Sequence, residues 1–221
     1  MSGSTTLFII DDDPDIRRAL SRLLRAAGHA TRGFGSATDF LISRDAQDGA
    51  GVIILDVTMP GLDGLELQQC LTAAGWRRPI IFLSGTADIP TSVRAMKAGA
   101  VNFLTKPVDD EVLLAAVGEA ISVEAAERAM WTTKHTIAER LATLTSRERQ
   151  VFEMVVAGRL NKQIAADLGT VEKTIKVHRA RMMTKMGAHS LVQLVHMAAV
   201  VGIECSLPAT YGKLEGSGQP H

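Results

Sequence analysis

Cysteine is almost absent from this chain: there are 2, Cys70 and Cys205, and neither has a partner at CxxC spacing. That argues against a disulfide framework and a cysteine-ligated metal, and it suits plain thiols in a reducing compartment. Aromatic residues are only 4%, although a hydrophobic content of 46% is enough for real cores. Long apolar runs are missing as well. The longest, Leu191 to Ile203, is broken by Gln193 and His196 and falls short of the ~20 residues of a membrane-spanning helix. With no basic-then-apolar signal at the N-terminus, the chain reads as a cytoplasmic protein with no membrane partner. Net charge is zero, which hides an asymmetry. Residues 1–120 hold 11 Lys and Arg against 15 Asp and Glu, whereas residues 141–204 hold 9 against 5. The acidic part suits a cation site and the basic part a polyanion.

What is present is a strand-then-helix pattern whose strands end in polar chemistry. Leu7 to Ile10 runs into Asp11-Asp12, Val52 to Leu55 into Asp56, Ile80 to Leu83 into Ser84-Gly85, and Val101 to Leu104 into Thr105-Lys106-Pro107. Such continuous apolar runs predict strands buried on both faces. Between them, Ile16, Leu20, Leu23 and Leu24 fall at helical spacing before Gly28, and further helices are expected from Gly64 to Ala74, through Val93 and Met96 to Gly99, and onward from Asp109. A less regular strand is expected near Ala30 to Phe34, where Gly33 interrupts the pattern. Alternating units with right-handed crossovers make a doubly wound α/β sheet, whose strand ends converge on one edge, where ligands bind.

The acid pair, Asp56 with Met59-Pro60-Gly61 beyond it, Ser84-Gly85 and Lys106-Pro107, in this order and each after its own strand, resemble the receiver domain of two-component response regulators. The resemblance runs from about Thr6 to Val123. It implies a flavodoxin-like parallel sheet of five strands in the order 2-1-3-4-5. It also implies that Asp56 accepts a phosphoryl group from a sensor histidine kinase. Two anions repel, so a cation must screen the approach; the implied cofactor is Mg²⁺, which prefers oxygen ligands. By the same resemblance Asp12 and Asp56 bind the metal directly, Asp11 acts through water, and the backbone carbonyl of Thr58 is a further ligand. Lys106, after a cis Lys106-Pro107 bond, would neutralise the phosphoryl oxygens, Ser84 would hydrogen-bond them, and Phe103 would be the switch aromatic. Taken alone, a Ser at a strand end is a turn former and a Phe in a strand is core. A dehalogenase-like phosphatase also uses an Asp nucleophile, but its acid partner would stand where Thr58 is. The chain is expected to be a switch, not an enzyme, with only Mg²⁺-dependent self-phosphorylation and slow self-dephosphorylation at Asp56.

From Asp110 to Leu144 there is no proline and only Gly118, which predicts one long helix or two nearly continuous ones. Met130, Ile137 and Leu144 recur at seven-residue intervals, but Thr133 and Arg140 fill the positions between, so a connector packed on one domain is favoured over a coiled coil. Thr145 to Glu148 reads as a capping box opening a helix to Gly158, Asn161 as the cap of a short helix, and Ser190 with Gln193 as a second capping box. A helix is expected from about Glu172 to Met186, with Thr170 as its cap because Val171 lacks a capping oxygen.

Leu144 to Glu148, Gly158, Asn161 to Ala165 and Thr174 to His178 resemble the LuxR/NarL helix-turn-helix domain, over roughly Leu144 to Ile203. With the receiver ahead of it, the whole chain resembles a FixJ-type regulator. That implies a double-stranded DNA operator as partner and a homodimer when phosphorylated, formed through Ile89 to Ala98, Val101 to Lys106 and Asp110 to Ala120. At 100° per residue Glu172, Lys173, Lys176, Val177 and Ala180 share one broad face that fits a major groove. The resemblance gives base reading to Lys176 and Val177; Lys173 and Arg179 complete the candidate DNA-binding set. Arg179, Arg181 and Lys185, on other faces, read as phosphate contacts or solvated charges. The expected division is a receiver at 1–123, a helical linker at 124–143, an all-α four-helix domain at 144–204 and a disordered tail at 205–221. The alternative is a signalling module whose helical domain binds protein instead of DNA.

Overall fold

The computed structural model describes residues 5–43, 51–76, 78–86 and 89–203. The expected tail at 205–221, with Cys205, lies outside the described residues. The chain divides into two compact units that meet between Ala129 and Met130.

In the first unit β1 (Thr6–Ile10), β2 (Ala30–Phe34), β3 (Gly51–Asp56), β4 (Ile80–Ser84) and β5 (Asn102–Thr105) form a parallel sheet in the order β2-β1-β3-β4-β5. Between them run α1 (Pro14–Ala26), α2 (Ala37–Ile42), α3 (Gly64–Ala73) and α4 (Ile89–Lys97), and α5 (Asp110–Ala142) follows β5. The apolar runs of β1, β3 and β4 are continuous because both faces are covered, whereas β5, at the sheet edge, is only half-buried and its run is broken by Asn102, against the expectation of a strand buried on both faces. Phe8, Ile10, Ile53, Leu55, Ile80 and Phe82 face a core shared with Phe40, Leu67 and Ala95, while Leu7, Ile9, Val52, Ile54, Ile81 and Leu83 face one shared with Leu20, Leu24, Leu113 and Val117. So α2, α3 and α4 cover one face, and α1 and α5 the other. The pattern gave no helix between β2 and β3; α2 is there, capped by Ser36 and anchored by buried Phe40.

Helix α5 is one continuous element of 33 residues. Asp109 opens it, its side chain accepting from Glu111 N and Val112 N, and Asp110 and Glu111 then complement the helix dipole. Its first turns place Leu113, Ala116, Val117 and Ala120 in the first unit's core, while within the expected linker Ile137 and Leu141 belong to the second's. Residues 125–135 between them are exposed.

The second unit adds α6 (Ser146–Val156), α7 (Asn161–Asp167), α8 (Glu172–Met186) and α9 (Leu191–Val200) around Val151, Phe152, Ile164, Ile175, Met182, Met186 and Leu194. Thr145 and Glu148 form the expected capping box. Three capping assignments differ. Leu160, not Asn161, is the N-cap of α7, and Gln163 Oε1 accepts from Leu160 N. Val171 occupies the N-cap of α8 with no side-chain cap. Ser190 caps α9, but Gln193 Oε1 accepts from His189 N instead of closing a box onto Ser190. The αL turn at Gly187, with φ of 65°, ends α8 beside Arg140, which donates to Met186 O.

Candidate phosphoacceptor site and nucleic-acid interface

Register places the acids. Ile10 pairs with Leu55, so Asp11 and Asp56 emerge level with each other at the carboxyl ends of adjacent strands, where the connection order reverses. Asp11 is buried, its Oδ1 accepting from Asp13 N at 2.9 Å. Asp56 is also buried, and Asp12 is exposed at the mouth. Carboxylate oxygens of these three residues lie within 4.8 Å of one another. Lys106, one residue beyond β5, brings Nζ to 2.6 Å from Asp11 Oδ2 and 3.2 Å from Asp56 Oδ1. Its peptide bond to Pro107 is cis.

Burial pushes the Asp56 carboxyl above the ordinary aspartate value, against the opposing pull of the Lys106 ammonium. Burial also works against the Lys106 charge, but the hydrogen bond and charge of Asp11, and then Asp56, outweigh it and hold that pKa above the usual lysine value. One ammonium against three carboxylates leaves the pocket negative. An all-oxygen, partly exposed donor set of this kind fits Mg²⁺, which takes one or two carboxylates and keeps several waters.

The rest of the rim is local. The N–H of Thr58 serves the Asp56 carboxylate, and its side chain is exposed. Gly64 is required by close approach: its N–H donates to Val57 O, and a Cβ there would overlap the carbonyl of Asp56. The buried Ser84 hydroxyl donates to Thr86 O at 2.9 Å and accepts from Thr86 N at 3.2 Å, so it forms the local turn while standing at the end of β4. Phe103 is half-buried against Phe82, ring centroids 6.1 Å apart. The strands thus bring Asp11, Asp12, Asp56 and Lys106 into one cluster. Arg17, which the sequence pattern did not single out, joins it by donating to the backbone carbonyl of Asp11.

In the second unit, α7, the Gly169 turn and α8 form a helix-turn-helix. Glu172, Lys173, Lys176, Val177 and Ala180 are all exposed, opposite buried Ile175, Met182 and Met186. Lys176 pairs with Glu172 at 3.0 Å on that open face. Arg179 is half-buried and donates to Asn161 Oδ1 at 3.0 Å. Lys185 is exposed but paired: its Nζ lies 2.6 Å from buried Glu148 and 3.1 Å from Thr143 O. Lys185 and the Thr145 cap together hold the Glu148 carboxyl down to about 2.

Residues 7–118 match the family model described as the response regulator receiver domain, and residues 142–198 match that of the bacterial regulatory proteins of the luxR family. Nodulation protein W of Bradyrhizobium diazoefficiens is 40% identical, the match covering 93% of this chain and 90% of that protein. The transcriptional regulatory protein FixJ of Azorhizobium caulinodans is 41% identical over 95% of this chain and 99% of its own length. Among solved structures, the response regulator StyR is 41% identical, with a TM-score of 0.80 over 89% of this chain and 99% of that one. Full-length FixJ from B. japonicum is 40% identical with a TM-score of 0.54, over 92% and 100%.

Proposed function

The chain belongs to the response regulators of the FixJ/NarL type, a receiver joined to a LuxR-type DNA-binding domain, and from that premise we propose that Asp56 is its phosphoacceptor. It is a phosphorylation-dependent transcriptional regulator, not a classical enzyme. The observation that supports the assignment is the Lys106 ammonium within reach of both Asp11 and Asp56 at the mouth of the sheet.

A sensor histidine kinase supplies the phosphoryl group. A carboxylate oxygen of Asp56 attacks phosphorus in line with the departing imidazole nitrogen, so an O–P bond forms as the N–P bond breaks. Asp12 and Asp56 would hold Mg²⁺ directly, with Asp11 acting through water and the Thr58 carbonyl completing the protein ligands. When bound, the ion screens the repulsion between carboxylate and phosphate. Lys106, already charged and in place, stabilises the transferred oxygens without reorganising. Ser84 exchanges its turn bond for one to the phosphoryl group, and Phe103 follows as the switch. Water later hydrolyses the aspartyl phosphate slowly.

Output runs through a homodimer. Ile89, Val93 and Met96 on α4 and Val112 on α5 are exposed apolar side chains beside β5, a surface suited to a second copy once the site is charged. The dimer then presents two copies of α8, with Lys173, Lys176 and Val177 toward base edges of a cytoplasmic DNA operator and Arg179 toward its backbone. The functional division is a receiver at 1–123, a linker at 124–143 and a DNA-binding domain at 144–204.

Incubation with labelled acetyl phosphate and Mg²⁺ tests the acceptor. The wild-type chain incorporates phosphate and Asp56→Asn does not. Incorporation into Asp56→Asn at the wild-type rate would remove Asp56 from the reaction.

A further inference from the structure

Every polar group of Asp11 is held within the first unit. Its N–H donates to Phe34 O at the end of β2. Oδ1 accepts from Asp13 N, and Oδ2 from Lys106 Nζ. The backbone carbonyl lies past the last ladder pairs of β1, Ile10 with Phe34 and Ile10 with Leu55, and it is Arg17 Nη1 that donates to it. A buried carbonyl at a strand end needs such a partner.

The guanidinium has a prepared seat. A Cβ at Gly35 would lie 3.7 Å from Cζ and from both terminal nitrogens of Arg17, and one at Gly33 would lie 3.8 Å from its Cδ. The side chain therefore lies along bare backbone at the end of β2, where a Cβ would already be in van der Waals contact with it and a branched side chain at Gly35 would compete for its space. Arg17 sits on the first half of α1, so the contact fastens helix, strand end and the loop after β2 around one aspartate.

We propose that Arg17 is a positioning residue of the phosphoacceptor site: by holding the Asp11 carbonyl it fixes the Asp11 carboxylate in the orientation that serves both Lys106 and a divalent cation. The inference rests on the Mg²⁺-dependent phosphoacceptor reading of the same acids. Removing Arg17 leaves that carbonyl to water and takes away the anchor that ties Asp11 to α1 through its backbone. Partners that orient a metal's ligands without touching the metal commonly control affinity by about 10-fold to 100-fold.

The test measures Mg²⁺ binding to the full chain by calorimetry, and the Mg²⁺ dependence of phosphate incorporation from acetyl phosphate, for wild type, Arg17→Met, Arg17→Lys and Gly35→Val. Arg17→Met is expected to weaken Mg²⁺ binding about 10-fold while the rate at saturating Mg²⁺ stays close to wild type, and Arg17→Lys to recover part of the affinity. Gly35→Val, which keeps the arginine but fills its seat, is expected to reproduce the Met defect; it supplies the answer if Arg17→Met does not fold. Wild-type Mg²⁺ affinity in folded Arg17→Met, or in Gly35→Val, overturns the inference. A wild-type chain that itself binds no Mg²⁺ would overturn the reading of the acids beneath it, and the inference with that reading.

Discussion

Each unit has a lysine in its candidate site, and the two lysines are held in opposite ways. Lys106 is mostly buried, with 18% of its side chain exposed, and is fixed between two buried carboxylates that arrive from other strands. Lys176 is 64% exposed and, among the described residues, is paired only with Glu172, one turn away on its own helix. The first arrangement is preorganised: its charges are desolvated, its partners are distant in sequence, and it can stabilise a developing charge without moving. The second is exchangeable, because an exposed pair of this kind contributes about 0.2–1 kcal/mol and is readily traded for a phosphate or a base edge. On the proposed function, phosphoryl transfer uses the rigid lysine and the reading of DNA sequence uses the loose one.

The largest expected effect tests the rigid side. Lys106→Met should slow phosphate incorporation from acetyl phosphate at saturating Mg²⁺ by about 100-fold, the scale for losing one preorganised donor. A loss of less than about threefold would mean that Lys106 organises the acids and does not assist transfer.

Next comes Glu148, the buried charge of the second unit. Its folded pKa of about 2 lies below the ordinary 4.5, so its stabilising contribution is fully present above pH 4.5 and is lost as pH falls toward 2. Glu148→Gln should lower the melting temperature at neutral pH, and the gap from wild type should close as the pH is taken through that window. A gap independent of pH would show that packing, and not the pair with Lys185, carries the effect.

On the loose side, Lys176→Ala should cost about 1–3 kcal/mol of discrimination between operator and unrelated duplex if its contact is to a base. If the contact is to a phosphate, all sequences should weaken alike and the salt slope should fall by about one. No change in either quantity would mean that α8 presents another face. The smallest effect is that of Glu172→Gln: freeing Lys176 should tighten duplex binding by less than about 1 kcal/mol, and only at low salt. A large gain would indicate that Glu172 itself opposes the DNA backbone.

The same contrast explains what could be read in advance. Asp11, Asp56 and Lys106 were legible because each ends an apolar run, and parallel strands carry such residues to one edge whatever lies between them. The exposed face of α8 was legible from helical period alone. Helix α2 was not, since its 6 residues are too few to establish a period. The pairing of Lys185 has no local signal because its partner, Glu148, lies 37 residues away on another helix. The residue type of Asn161 suggests a cap, whereas its side chain accepts from Arg179, 18 residues on. Arg17 left no pattern because its partner is a backbone carbonyl, and Gly64 gave no sign that it lies against Asp56.

The most direct test joins the two lysines' sites. A duplex selected from a random pool by the phosphorylated chain would be titrated with wild type and Asp56→Asn, each with and without acetyl phosphate and Mg²⁺, while sedimentation follows the mass of the complex. Phosphorylation is expected to tighten wild-type binding at least about fivefold, the lower range of measured couplings between sites, with a shift from monomer to dimer, and to leave Asp56→Asn unchanged. Equal wild-type affinities in both states, or the same gain in Asp56→Asn, would contradict control of the DNA-binding face from Asp56.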